Sequence, residues 1–160
     1  MTLKLRMIWM VVPVFAVGTL VGCGPPFTNN SSPFELGLEN GHLAFSFCQG
    51  ETVIKARVEQ RPSGSSEASS WEDVWSGSGR LVVKAGDVIE LGGEGALSAT
   101  EFSPVDPSPG TKYTVYLTVE SRASSGGTFD YQPSFTSPAG GLQDGEWLDS
   151  SGGVSGEPCS

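Results

Sequence analysis

Thr111-Lys-Tyr-Thr-Val-Tyr-Leu-Thr-Val-Glu120 alternates without a break. Tyr113, Val115, Leu117 and Val119 fall on one side of an extended chain, with Thr114, Tyr116, Thr118 and Glu120 on the other. Successive side chains of a strand point to opposite faces, so this period of two marks a half-buried strand and excludes an amphipathic helix. Ser124-Ser-Gly-Gly127 then leads into Thr128-Phe-Asp-Tyr-Gln132, which predicts a hairpin. Upstream, Leu43, Phe45 and Phe47 alternate with Ala44, Ser46 and Cys48, and Ile54, Ala56 and Val58 alternate with Lys55, Arg57 and Glu59. Trp71 to Trp75, Arg80 to Ala85 and Asp87 to Leu91 read as shorter strands, the first two separated by Ser76-Gly-Ser-Gly79. A further short strand is predicted around Glu146-Trp-Leu148. No apolar run of helical period follows Gly22. Many short strands separated by turns predict an all-β sandwich or barrel.

Pro109-Gly-Thr-Lys-Tyr-Thr-Val-Tyr-Leu-Thr-Val119 resembles the run that enters the penultimate strand of fibronectin type III domains. Ile54-Lys-Ala-Arg-Val-Glu-Gln-Arg-Pro-Ser-Gly64 followed by Trp71-Glu-Asp-Val is similar to the middle strands of the same family. The resemblance covers about residues 41 to 135 and implies an immunoglobulin-like antiparallel β-sandwich. It also implies that Tyr113 forms a tyrosine corner, its hydroxyl bonded back to the preceding loop. One departure stands out: the stretch between Val83 and Pro109 is longer than that family carries.

The other end of the chain carries an address. Lys4 and Arg6 precede an apolar stretch from Met7 to Val21, and no acidic residue occurs before Glu35. That is about the 7–15 residues of a secretory h-region, shorter than the roughly 20 that a membrane-spanning helix needs. It closes on Leu20-Val21-Gly22-Cys23, which resembles the lipobox of bacterial lipoproteins, and the chain as a whole looks like the secreted lipoproteins of Gram-positive bacteria. The resemblance implies cleavage before Cys23 and a diacylglyceryl group on its thiol. The expected organisation is a signal peptide at 1–22, a lipid-anchored flexible tether at 23–40, a β-sandwich at 41–136 and a Gly-rich C-terminal segment at 137–160. The expected partner is a membrane, reached through lipid on Cys23 at the extracytoplasmic face.

With Cys23 acylated, Cys48 and Cys159 remain as an even pair in an oxidising compartment, and a disulfide between them is expected to tie the C-terminal segment back. Removing Lys4 and Arg6 with the leader leaves seven Lys and Arg against 18 Asp and Glu, a net charge of −11. That balance argues against nucleic acid and against adsorption to anionic headgroups.

Candidate chemistry is sparse. Trp71, Asp73 and Trp75 alternate, so a regular strand would carry two indoles and a carboxylate on one face, a platform on which an envelope glycan can stack; the alternative is core or edge cover. Asp144-Gly-Glu-Trp-Leu-Asp149 gathers oxygens but lacks the register of a calcium loop. His42 has no nucleophile and orienting acid at recognisable spacing, and reads as a solvated turn residue. No residue is therefore expected to be catalytic, to hold a metal or to bind a cofactor. The expectation is a non-catalytic binding or display module for an envelope glycan or protein. The alternatives are a structural accessory of an envelope complex and a carbohydrate-active enzyme.

Overall fold

A computed structural model describes residues 32–66, 71–92, 97–121 and 126–159, so the leader and Cys23 lie outside the described residues. The strands are β1 (Phe34–Glu39), β2 (His42–Phe47), β3 (Glu51–Arg61), β4 (Glu72–Val83), β5 (Val88–Glu90), β6 (Ser98–Glu101), β7 (Lys112–Glu120), β8 (Thr128–Tyr131), β9 (Ser134–Thr136), β10 (Trp147–Leu148) and β11 (Val154–Ser155). The described residues contain no helix. One sheet runs β11-β10-β1-β2-β5 and the other β6-β4-β3-β7-β8, with β9 continuing the edge beside the start of β7. All the strand pairs are antiparallel. The protein is an all-β sandwich of two packed sheets.

Register explains the core. Phe34 pairs with Phe47, Leu36 with Phe45 and Leu38 with Leu43, so each alternate rung of β1 and β2 delivers two apolar side chains to the same face. The opposing sheet answers with Val53, Ala56, Val58, Val115, Leu117, Val119 and Phe135, all buried in the same cluster. Phe34 meets Phe45 edge to face at 5.2 Å between ring centroids and reaches across to Phe135 on β9 at 6.0 Å. A fully buried Phe or Leu contributes on the order of 1.5–3 kcal/mol by leaving water. This shared layer is what holds the sheets face to face.

β1 corrects the expected tether. Residues 34–39 are a central strand, bonded to β2 on one side and β10 on the other. The physical signal was Asn40-Gly41: both residues have positive φ, 52° and 78°, as a two-residue hairpin of matching twist requires. Flanked by Leu36 and Leu38 before and Leu43 and Phe45 after, that dipeptide ties the segment to β2 rather than to a linker.

The C-terminal segment is likewise part of the fold. Trp147 pairs with Gly37 on β1, and any side chain at Gly37 would run into the indole ring and the Glu146 carbonyl. Trp147 is buried, as are Ala44 and Ser46, which point away from the main core. The segment therefore straps the outer face of the first sheet, which is why β2 is buried on both sides. Its end is fixed by the Cys48–Cys159 disulfide, with Cα atoms 5.2 Å apart, and by the Cys159 N–H donating to Glu35 Oε2 at 2.7 Å. A bridge across 111 residues is worth roughly 4–5 kcal/mol in the chain-entropy account.

Two irregularities shape the second sheet. Residues 72–83 form one long strand rather than two, because Gly79, at φ 146°, sits in a bulge instead of ending the strand. The other bulge lies at Val74. Val58 faces Trp75 and Glu59 faces Asp73, so Val74 is the extra residue.

Candidate binding surfaces

The bulge at Val74 decides the fate of the Trp71–Asp73–Trp75 platform. An extra residue reverses the alternation, so Asp73 faces outward while both Val74 and Trp75 are buried. Trp71, just ahead of β4, remains 37% exposed and lies under the Arg61 guanidinium at 5.0 Å from the ring centroid. The three side chains do not share one face, and the two-indole platform is not formed. What does form around Asp73 is an ion-pair network. Arg57 donates to both Asp73 and Glu59, Tyr116 donates to Glu59 Oε2 at 2.9 Å, and Arg57 also lies over the Tyr116 ring at 5.5 Å. The hydrogen bond to Asp73, foremost, raises the Arg57 pKa, and partial burial followed by the bond to Glu59 raises that of Tyr116. These groups satisfy one another on an open sheet face.

Trp75 belongs to a different place. With Val74, Leu43 and Leu91 it forms the apolar floor of a cavity of about 550 Å³ between the edges of the two sheets. Gly41 and His42 line one side, and Glu101, Phe102, Ser103, Pro104 and Val105 form the other. That volume is within the range of small-molecule sites, roughly 300–1,000 Å³. Two features set it apart from a mere gap. The Trp75 indole nitrogen is closed off from solvent and has no hydrogen-bond partner among the described residues, a condition that costs on the order of 1–3 kcal/mol. Phe102, at the rim, leaves 55% of its surface in water.

The wall of this cavity is built, not draped. Gln60, 3% exposed on β3, donates its amide to the Pro104 carbonyl at 2.9 Å and accepts from the Asp106 N–H at 2.9 Å. Tyr113 on β7, fully buried, donates its hydroxyl to the Asp106 carbonyl at 2.5 Å, the backward bond expected of a tyrosine corner. Asp106 in turn accepts from the Ser108 N–H at 3.0 Å and the Thr111 hydroxyl at 3.3 Å. The Ser108 bonds, ahead of that from Thr111, hold its carboxyl below the ordinary aspartate value. Burial, before any other cause, raises the Tyr113 phenol. The stretch between Val83 and Pro109, overlong against the fibronectin pattern, thus supplies β5, β6 and a pinned wall.

The remaining sequence candidates find other roles. Asp144 Oδ1 accepts from the Gly41 N–H at 2.9 Å and Glu146 Oε2 from the Gln143 N–H at 3.0 Å. Asp149 Oδ1 accepts from the Ser151 N–H and hydroxyl and the Gly153 N–H, which lower its pKa, Ser151 contributing most. These acids close turns. Among the described residues no group of three or more His, Cys, Asp or Glu side chains is placed to hold a metal ion. His42 is an exposed residue beside the Asn40-Gly41 hairpin, where it pairs with Glu39 and lines the cavity. Sequence reading missed Phe102 and Glu101 altogether, since nothing local distinguishes a wall residue from a loop residue. No family model, curated protein or solved structure matches the chain.

Proposed function

We propose that this chain is a lipid-anchored, non-catalytic lipoprotein that holds a ligand-binding β-sandwich at the extracytoplasmic face of a cell membrane. The basic n-region, the apolar stretch and Leu20-Val21-Gly22-Cys23 support the anchor. No helix among the described residues is long and apolar enough to cross a membrane. The observation that carries the reading is the polarity of β1. It begins at Phe34, 11 residues beyond Cys23, and runs away from that point to the Asn40-Gly41 hairpin, beside which the cavity opens. Six residues at about 3.3 Å each separate the two ends by roughly 20 Å. Eleven residues of leash reach at most about 40 Å. A chain held by lipid on Cys23 enters the described fold at the start of β1 while the cavity opens beside the far end of that strand, which supports the reading of a displayed module.

Metabolic labelling with a clickable fatty acid, followed by membrane fractionation, tests this. The wild-type chain is expected to carry label and sediment with membranes. The Cys23→Ala chain is expected to lose the label. Equal labelling of both chains, or an unlabelled wild-type chain, would refute the anchor.

A further inference from the structure

We infer that the cavity between the sheet edges is a site for a small organic ammonium ion, its positive end held by the Glu101 carboxylate and its body lying against Phe102. The inference rests on the binding-module reading and names the ligand chemistry of that module.

Charge decides the class. Among the described residues that line the cavity, Glu101 is the only Asp or Glu, and no Lys or Arg stands there to offset it. Its carboxylate makes no hydrogen bond or ion pair with a described residue, while Arg57 and Arg80 are taken by Asp73, Glu59 and Glu120. The position of the carboxylate is defined by its neighbours. A Cβ at Gly92 would strike it and would come 3.8 Å from His42 Nδ1, so the acid and the imidazole converge on one stretch of wall. Three more carboxylates surround the hairpin on the other side: Glu39 across from His42, Glu90 with the Asn40 amide on its Oε1 at 2.8 Å, and Asp144 on the Gly41 N–H. A concave surface bordered by one sign of charge focuses the field, repelling an anion and drawing a cation.

Acidic groups alone would gather only counter-ions; the cavity supplies the rest of the complement. Phe102 lines it beside Glu101 and is 55% exposed, so an organic cation held by the carboxylate meets an aromatic face, where the ring quadrupole favours positive charge. Leu43, Val74 and Leu91 are buried beneath, whereas His42 and Ser103 are polar like Glu101. A ligand with one positive, hydrogen-bonding end and a short organic body matches both kinds of lining. A bare metal ion does not, since no group of three or more His, Cys, Asp or Glu among the described residues is placed to hold one.

Three probes of similar shape separate the terms: benzylammonium, neutral benzyl alcohol and benzoate. They are titrated at low ionic strength and neutral pH into the purified full chain labelled with ¹⁵N. Benzylammonium is expected to move the amide signals of His42, Leu43, Glu101 and Phe102. It is expected to bind about fivefold tighter than benzyl alcohol, the margin that a part-exposed charge pair provides. High salt narrows that margin by screening the pair. Glu101→Gln keeps the shape of an exposed, unbonded side chain and erases the margin, whereas Glu157→Gln, at an exposed acid outside the cavity, leaves it in place. Phe102→Ala, at an exposed position, weakens benzylammonium and benzyl alcohol alike.

Equal binding of benzylammonium and benzyl alcohol, or tighter binding of benzoate, overturns the cation assignment. A margin reduced as much by Glu157→Gln as by Glu101→Gln reports only the net negative surface and overturns Glu101 as the holding group. Undiminished binding to Phe102→Ala overturns the aromatic contact. Shifts confined to residues outside the cavity, or no binding of any probe, overturn the site itself, whereas the anchor stands or falls on the separate fatty-acid labelling.

Discussion

Gln60→Met isolates the interaction on which the cavity wall depends. Methionine keeps the length of the buried side chain and removes both amide groups, so the Pro104 carbonyl and the Asp106 N–H lose their 2.9 Å partners together. Each buried backbone group left unpaired costs about 1–3 kcal/mol. Two effects offset part of that. The methionine no longer carries a buried amide, and Pro104 and Asp106 are nearer to water than Gln60, so solvent recovers some of their bonding. The expected net loss is about 2 kcal/mol, which at an m-value of about 1.5 kcal/mol/M lowers the urea midpoint by roughly 1.3 M. Gln49→Met is the control, because Gln49 is exposed and donates its amide to the Glu51 carboxylate at the surface, and a change within about 0.5 kcal/mol is expected there. Hydrogen exchange provides the local readout: the Asp106 amide is expected to exchange faster in Gln60→Met, while Val115, whose N–H donates to the Pro133 carbonyl, changes only with global stability. A Gln60→Met loss no larger than that of Gln49→Met, or unchanged protection at Asp106, would refute the claim that Gln60 holds the wall.

Two further perturbations probe the strap and the turns. Gly37→Ala forces a methyl group against the Trp147 ring and the Glu146 carbonyl and is expected to cost about 3 kcal/mol, the upper part of the overpacking range, with a red shift of tryptophan emission as Trp147 lifts. The pH dependence has two limbs. Asp106 and Asp149 are held below their unfolded value near 3.9, so the unfolded chain binds more protons than the folded one in that region; stability is present above about pH 4 and is lost as pH falls through the folded values. Tyr113 is raised by burial above its unfolded value near 10, so its contribution is present below pH 10 and is lost as pH rises beyond it. Asp149→Asn is expected to flatten the acid limb and Tyr113→Phe the alkaline limb, in urea unfolding followed from pH 2.5 to 11; unaltered limbs would sink the assignments.

Much of the strand content was readable from alternation alone, because a strand that buries one face writes a period of two into the chain. β7 is the plainest case, its odd-numbered residues 113–119 all buried. β3 is nearly as plain, although a register shift between Val53 and Lys55 interrupts it. The pairing of Cys48 with Cys159 followed from arithmetic. β1 hid in a Pro- and Ser-rich neighbourhood although Asn40-Gly41 announced its hairpin. β6 hid for a better reason: Ser98-Ala-Thr-Glu101 is exposed throughout and has no burial pattern to read.

Strand content, the disulfide partner and the corner role of Tyr113 were thus matters for the sequence, since each depends on local period, residue count or a short run. The binding surface was a matter for the tertiary structure. One extra residue at Val74 turned Trp75 from a surface platform into the floor of a cavity, and whether a strand bulges depends on the register of the neighbour it pairs with, here Val58 and Glu59 of β3. The cavity gathers residues as far apart as Gly41 and Val105, which no local pattern brings together. Alternation reports which way a side chain points along its own strand; only the packing of the two sheets reports what it meets.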